Sequence, residues 1–326
     1  MQQHFRITGT GGYLPSHTIT AEELDTRLAL PPGWTRQHTG VIERRQRATG
    51  ENAAAMARHA ILAALTAAGC SIRDLDLVID ASTSQQQPIP CNAALVLEAL
   101  GPDAAGIPAL DVHCSCLSFV AALNTANALL AVGQHQRILI VSSETPLDGV
   151  NWDDPASACL MGDGAAAVIV ERCAPVHACH YRFETYAEFA HVCEIAGGGS
   201  RLPPYLYTPE QHARYRFAMD GPRLHKAASH HLPPMVRRVL AEAGARPADL
   251  HVVPHQASGP AIELLARRLG LDRTRLHVTI AEHGNLVAAG IPYALHRAWP
   301  ALPPGERVML LGTAAGYSQA VFIFTR

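Results

Sequence analysis

Apolar and polar residues alternate in blocks that predict a regular succession of strands and helices. Residues 5–8 read as a first strand, closed by Gly9, Gly11 and Gly12. Residues 15–30 predict loop and a short helix, and 34–45 are polar and cationic. A helix starts at Thr49 or Glu51 and runs through Ala68. Its apolar stripe is Ala54, Ala57, Ile61, Leu65 and Ala68, and Gly69 ends it. Residues 75–80 form a near-continuous apolar run, the mark of a strand covered on both faces. Helix 91–100, strand 107–112, helix 116–132 and strands 137–142 and 165–171 follow. Strands alternating with helices predict an α/β fold with a mainly parallel sheet.

The second half repeats the first. Leu65 to Gly69 followed by Leu75 to Val78 matches Leu240 to Gly244 followed by Leu250 to Val253, at a constant offset of 175 positions. Arg137 to Ser143 echoes Arg307 to Thr313, and Leu110 to His113 resembles Leu276 to Thr279. These matches fall in the same order, which predicts two similar α/β halves, 1–172 and 173–326, joined near 173–180. In such folds ligands bind at the carboxyl ends of the strands.

Composition narrows the function. A hydrophobic content of 48% with 17% charged residues describes a compact globule rather than a disordered chain. A net charge of -2 gives no reason to expect nucleic acid. No apolar run reaches the length of a membrane span, and the N-terminus lacks the pattern of a signal peptide. Eight cysteines without framework spacing fit reduced thiols in a cytoplasm.

The strand ends carry the candidate chemistry. Cys116 falls where a strand runs into an Ala/Leu-rich helix. Unpaired N–H groups and the helix dipole there favour a thiolate able to attack an acyl carbon. A buried structural cysteine is the competing reading. Cys114 and Cys116 as half a metal site find no second Cys or His pair with zinc spacing. Asp80 also ends a strand; His255 follows the strand 250–253, and His283-Gly284-Asn285 opens a helix after 276–278. Singly, His255 reads as a satisfied buried histidine and Asn285 as a helix cap. Together, on one side of the sheet, Cys, His and Asn make a catalytic constellation.

At these residues the chain resembles the thiolase superfamily, specifically the β-ketoacyl-acyl-carrier-protein synthase III family, over nearly its whole length. Trp34 with His38-Thr39-Gly40-Val41-Ile42-Glu43-Arg44-Arg45 is similar to the family's tryptophan segment. Asp111-Val112 with Cys116 and Phe119 resembles its nucleophile motif, in which the Phe spacing selects Cys116 over Cys114. Gly162-Asp163-Gly164-Ala165, Val253-Pro254-His255-Gln256-Ala257, Gly284-Asn285 with Pro292, and the turn 312–318 resemble the remaining motifs. The resemblance implies a five-layered αβαβα fold and a homodimer. It also implies Cys116 as acyl acceptor with His255 and Asn285 beside it, and acyl and malonyl thioesters of coenzyme A or a carrier protein as substrates. No metal or resident cofactor is required. Trp34, His38, Ile89, Leu117, Ser258, Thr313 and Ala314 are the implied substrate-binding positions.

Departures qualify that expectation. Ser258 stands where the family commonly has Asn, and His38 where it has a cation. Pro155, beside Trp152-Asp153-Asp154, occupies the place of a basic residue that often grips the coenzyme A adenine. Ile89 stands where a Phe often gates the acyl pocket, and Gly312-Thr313-Ala314-Ala315-Gly316 carries more side chains than usual. The pattern suits a specialised relative. Two alternatives stay open: an acyltransferase passing its acyl group to a hydroxyl or amine, and a non-catalytic subunit of a heterodimer.

Overall fold

A computed structural model describes all 326 residues. In chain order the first sheet takes β1 (Phe5–Tyr13), β2 (Leu77–Asp80), β3 (Ala109–Asp111), β4 (Arg137–Glu144) and β5 (Gly164–Arg172). They lie in the order β1-β5-β4-β2-β3. The second sheet takes β6 (His180–Thr185), β7 (Leu250–Pro254), β8 (Arg307–Ala314) and β9 (Ser318–Thr325) in the order β6-β9-β8-β7. Beyond β7, where the first sheet has β3, the stretch predicted as a strand contributes one bridge, Val252 to Leu276. Val278 is exposed there, so no apolar run holds a longer strand. Position for position the two sheets share one topology. Each has parallel strands at one end (β2 with β3 and β4; β7 with β8) and antiparallel ones at the other.

The longer helices are α1 (Ala53–Ala68), α2 (Asn92–Leu100), α3 (Ser118–Ala131), α4 (Gly221–Glu242), α5 (Gly259–Leu269) and α6 (Gly290–Ala298). α3 and α6 lie between the sheets in a core that joins Ile79 and Ile140 to Phe119, Ile291, Leu310 and Phe322. α1 covers the outer face of the first sheet through Met56, Ile61 and Leu65. α4 and α5 cover the second through Val236, Val239 and Ala266. The result is five layers, helix–sheet–helix–sheet–helix.

One correction concerns β1, which continues through the glycines expected to end it. A Cβ at Gly11 would lie 2.1 Å from the Ala60 carbonyl oxygen, and one at Gly9 2.3 Å from that of Ala64. The glycines let α1 lie directly on the strand instead of turning the chain.

Candidate active site

Cys116, His255 and Asn285 come from the loops after β3, after β7 and before α6. The chain leaves β3 through a tight turn in which Ser115 adopts φ 49°. The Ser118 hydroxyl fixes that turn: it donates to the Ser115 carbonyl (2.6 Å) and accepts the Cys114 N–H (2.9 Å). α3 begins at Ser118, so Cys116 lies just ahead of the first turn. Its sulfur is faced by its own backbone N–H and by that of Ala315, in the β8–β9 hairpin turn. Two N–H groups aimed at one nucleophile are what an oxyanion requires. The lowering of the thiol pKa expected at a helix start is opposed here. Burial, with the Cys193 thiol and the Glu144 carboxylate nearby, pushes the thiol well above its ordinary pKa, and the two N–H groups only partly oppose this.

His255 continues β7, its N–H donating to the Leu311 carbonyl at 2.7 Å. It is backed by Gly312, where a Cβ would sit 2.5 Å from that of His255. The imidazole is buried and its Nδ1 has no partner. Burial lowers its pKa to about 4, so the ring is neutral at ordinary pH and one ring nitrogen carries a donatable proton.

Asn285 does not open a helix. A short helix, Ile280–His283, ends before it at Gly284, whose φ is 69°. Asn285 is then clamped in an extended bridge against Met161. Its N–H donates to the Leu160 carbonyl (2.8 Å) and its carbonyl accepts the Gly162 N–H (3.1 Å). A Cβ at Gly162 would lie 2.2 Å from the His283 carbonyl oxygen, which is why the turn needs glycine there. Asp163 holds the turn from behind by accepting the Arg47 N–H at 2.9 Å. The Asn285 side chain accepts the Val287 N–H (2.8 Å), leaving Nδ2 with a long 3.4 Å contact to the Ala257 carbonyl. Ala257 lies in the loop just after His255. Cys116 packs against the same small cluster as Met161 and Val287. Asn285 thus shares Met161 and Val287 with Cys116, and reaches the loop after His255 through Ala257.

The other expected positions divide. Thr313 lines a cavity with His255. Leu117 and Ala314 are buried in the central core and act in packing. Ser258 caps α5, accepting the Ala261 N–H at 3.3 Å. His38 stacks on Trp34 at 4.2 Å. Pro155 opens a four-residue helix capped by Asp154, and Arg27 lies 3.6 Å over the indole of Trp152. Ile89 is 83% exposed in the single chain. Glu144 was readable only as the acidic end of a buried strand. It accepts from the Thr83 and Ser84 N–H groups (2.6 and 2.9 Å), and burial raises its pKa to about 7. Burial does the same to Asp80.

Family models described as 3-oxoacyl-[acyl-carrier-protein] synthase III and its C-terminal region match residues 110–187 and 240–325. The chain is 34% identical to a β-ketoacyl-[acyl-carrier-protein] synthase III of Laribacter hongkongensis, over 96% of each. It is 31% identical to that of a Neisseria meningitidis strain, over 97% of each. Among solved structures, a 3-oxoacyl-(acyl carrier protein) synthase III of Pseudomonas aeruginosa superposes with TM-score 0.88 at 27% identity, covering 99% of this chain and 98% of that one. A priming β-ketosynthase from the R1128 polyketide pathway gives 0.90 at 26% identity, covering 99% and 96%. By sequence and by fold, therefore, this chain belongs to the β-ketoacyl-[acyl-carrier-protein] synthase III family of the thiolase superfamily, and it is a condensing enzyme of the acyltransferase type.

Proposed function

We propose that Cys116 is the acyl-accepting nucleophile and that His255 and Asn285 drive decarboxylative condensation with a malonyl thioester. The observation that carries this is the pair of N–H groups facing the Cys116 sulfur, together with a neutral His255 imidazole that keeps an unpartnered nitrogen. In the first step the Cys116 sulfur bonds to the carbonyl carbon of an acyl-CoA or acyl carrier protein. The thioester C–S bond breaks, and the departing thiolate takes the proton lost by Cys116. The N–H groups of Cys116 and Ala315 hold the intermediate oxyanion. In the second step the C2–carboxylate bond of the malonyl group breaks and carbon dioxide leaves. The electron pair moves into an enolate whose oxygen accepts hydrogen bonds from His255 and Asn285 Nδ2. C2 then attacks the acyl carbon, and Cys116 leaves as a thiolate that takes one proton from solvent. Both donors are uncharged, so each stabilises developing charge without needing protonation. Trp34, His38 and Thr313 are assigned to the substrate's path to Cys116.

The reading is tested by intact-mass spectrometry. A panel of acyl-CoAs is expected to give a covalent adduct, which malonyl-CoA or malonyl carrier protein then discharges with release of carbon dioxide. An adduct that resists both malonyl donors overturns condensation in favour of transfer to a hydroxyl or amine.

We propose further that two copies pair through β3. That strand bonds only to β2, and its other edge is open. Leu110 on it is 38% exposed, and Ile89, in the loop before α2, is exposed too. Apolar open edges are normally covered, and a second copy related by a twofold axis covers both at once. Ile89 would then border the partner's acyl pocket, and residues 1–172 and 173–326 would be the two halves of each subunit. Sedimentation is expected to give twice the 34.9 kDa chain mass, and Leu110→Lys to halve it. A wild-type monomer overturns the pairing. No helix is long and apolar enough to cross a membrane. With all eight cysteines unpaired, we assign the enzyme to a reducing cytoplasm.

A further inference from the structure

The hairpin that joins β8 to β9 carries the Ala315 N–H, one of the two that face the Cys116 sulfur. Ala314 pairs with Ser318, so Ala315, Gly316 and Tyr317 make the turn between them. Gly316 has φ 73° and Tyr317 φ 36°. Glycine takes that region freely, but a bulky residue is an outlier there and stays only where its surroundings hold it.

Those surroundings are a chain of hydrogen bonds. Tyr317 and Gln319 are both fully buried. Gln319 Nε2 donates to Glu184 Oε2 of β6 (2.9 Å) and to the His231 carbonyl of α4 (3.3 Å). The amide is thereby set one way round, and its Oε1 accepts the Tyr317 hydroxyl at 2.9 Å. Glu184 is held in turn by Arg182 Nε (2.8 Å) and by the Tyr186 hydroxyl (3.0 Å). The Tyr317 carbonyl accepts the Tyr186 N–H at 3.0 Å. The rings of Tyr186 and Phe189 each lie 5.6 Å from the Tyr317 ring. Main chain, ring and hydroxyl thus grip the exit of the turn, while Gly312 against His255 fixes its entry.

A hairpin as such needs none of this, because a glycine at 317 would take the same φ without an anchor. What the buried chain adds is a single orientation for the peptides of the turn. Donors held that way need no reorganisation when charge develops on an oxyanion. We propose that Tyr317 and Gln319 are positioning residues: their buried hydrogen bond, anchored on Glu184, fixes the turn that aims the Ala315 N–H at the oxyanion formed on Cys116. This rests on the oxyanion role of that N–H given above. Without the Tyr317 hydroxyl, Gln319 Oε1 is left buried and unpartnered, and the exit of the turn is released.

The test follows adduct formation on Cys116 by rapid quench and intact mass, at rising concentrations of the acyl-CoA that loads the wild type fastest. Tyr317→Phe keeps the ring and is expected to lower the saturated loading rate about tenfold or more, with the half-saturating concentration held within about twofold. Tyr317→Gly should do no better. Gln319→Met, of similar length but without the amide, should match Tyr317→Phe, and carries the test if the phenylalanine variant loses its thermal transition. Iodoacetamide gives a second readout. Burial raises the Cys116 thiol and the Ala315 N–H opposes that rise. Misaiming the N–H should therefore slow alkylation of Cys116 about threefold or more and leave Cys114 unchanged. A Tyr317→Gly enzyme that loads at the wild-type rate overturns the proposal, because the position then asks only for its φ. A variant that raises the half-saturating concentration at an unchanged saturated rate overturns it too, as does one that slows both cysteines alike. Each of these outcomes leaves Cys116 standing as the nucleophile, whereas a wild type that forms no adduct removes that reading as well.

Discussion

Cys116→Ala is expected to abolish the covalent acyl adduct and to lower condensation by roughly ten-thousand-fold or more, while Cys114→Ala keeps both within a few-fold. The two thiols are two residues apart, and only their surroundings separate them. The N–H groups of Cys116 and Ala315 converge on the Cys116 sulfur. Both pack against the central core, but Cys114 lies near Tyr181 and burial alone raises its thiol. The Cys116 thiol is raised further, chiefly by burial and then by Cys193 and Glu144. The sign follows directly. A group held in its neutral form supplies about ten times more thiolate for each unit rise in pH until its own pKa is reached. Alkylation of Cys116 by iodoacetamide should therefore still be accelerating above pH 9, where an ordinary thiol levels off. Peptide mapping after alkylation separates the two cysteines. A plateau near the ordinary thiol value would show that the N–H pair outweighs burial. An adduct surviving in Cys116→Ala would move the nucleophile elsewhere.

The parts of this site legible in the sequence are those that local spacing controls. A strand running into an Ala/Leu-rich helix located Cys116, and an internal repeat located the strand before His255. What stayed hidden depends on contacts between segments far apart in the chain. The Ala315 N–H belongs to a hairpin turn whose aim is set by β8 pairing with β9 and by Gly312 resting on His255. The thiol was expected to be lowered by the helix start. That local effect loses to burial and to Glu144 and Cys193, brought in by β4 and by a short strand at Cys193–Glu194. Asn285 was placed at the opening of the helix that follows 276–278. The segment is held extended instead by Met161 and by a glycine turn that tolerates no side chain. The second half's fifth strand shrank to one bridge, since Leu276 packs inward and Val278 does not.

His255→Ala is expected to cut decarboxylation of the malonyl acceptor by roughly a hundred- to a thousand-fold and to leave acyl loading of Cys116 within a few-fold. The split follows from the positions of the groups. Loading uses the N–H pair at Cys116, whereas His255 Nδ1 or Nε2 and Asn285 Nδ2 are the donors left over for an enolate. Asn285→Ala should show the same split. His255→Gln, which keeps a side-chain N–H, should recover part of the loss. The pH profile gives an independent check. In the folded protein burial lowers the His255 pKa from its ordinary 6.5 to about 4. The ring therefore stays neutral as pH falls through 6.5 and gains its second proton only near 4. The single-turnover rate of decarboxylation should stay level from pH 8 to about 5, with no step near 6.5. The same shift makes protonation a cost of the folded state. Between about pH 6.5 and 4 the unfolded chain binds a proton that the native chain refuses, so stability declines over that window. A decarboxylation rate already halved near pH 6.5 would mean that the ring is hydrated in solution and titrates normally. Loss of acyl loading together with decarboxylation in His255→Ala would recast the imidazole as the base for Cys116.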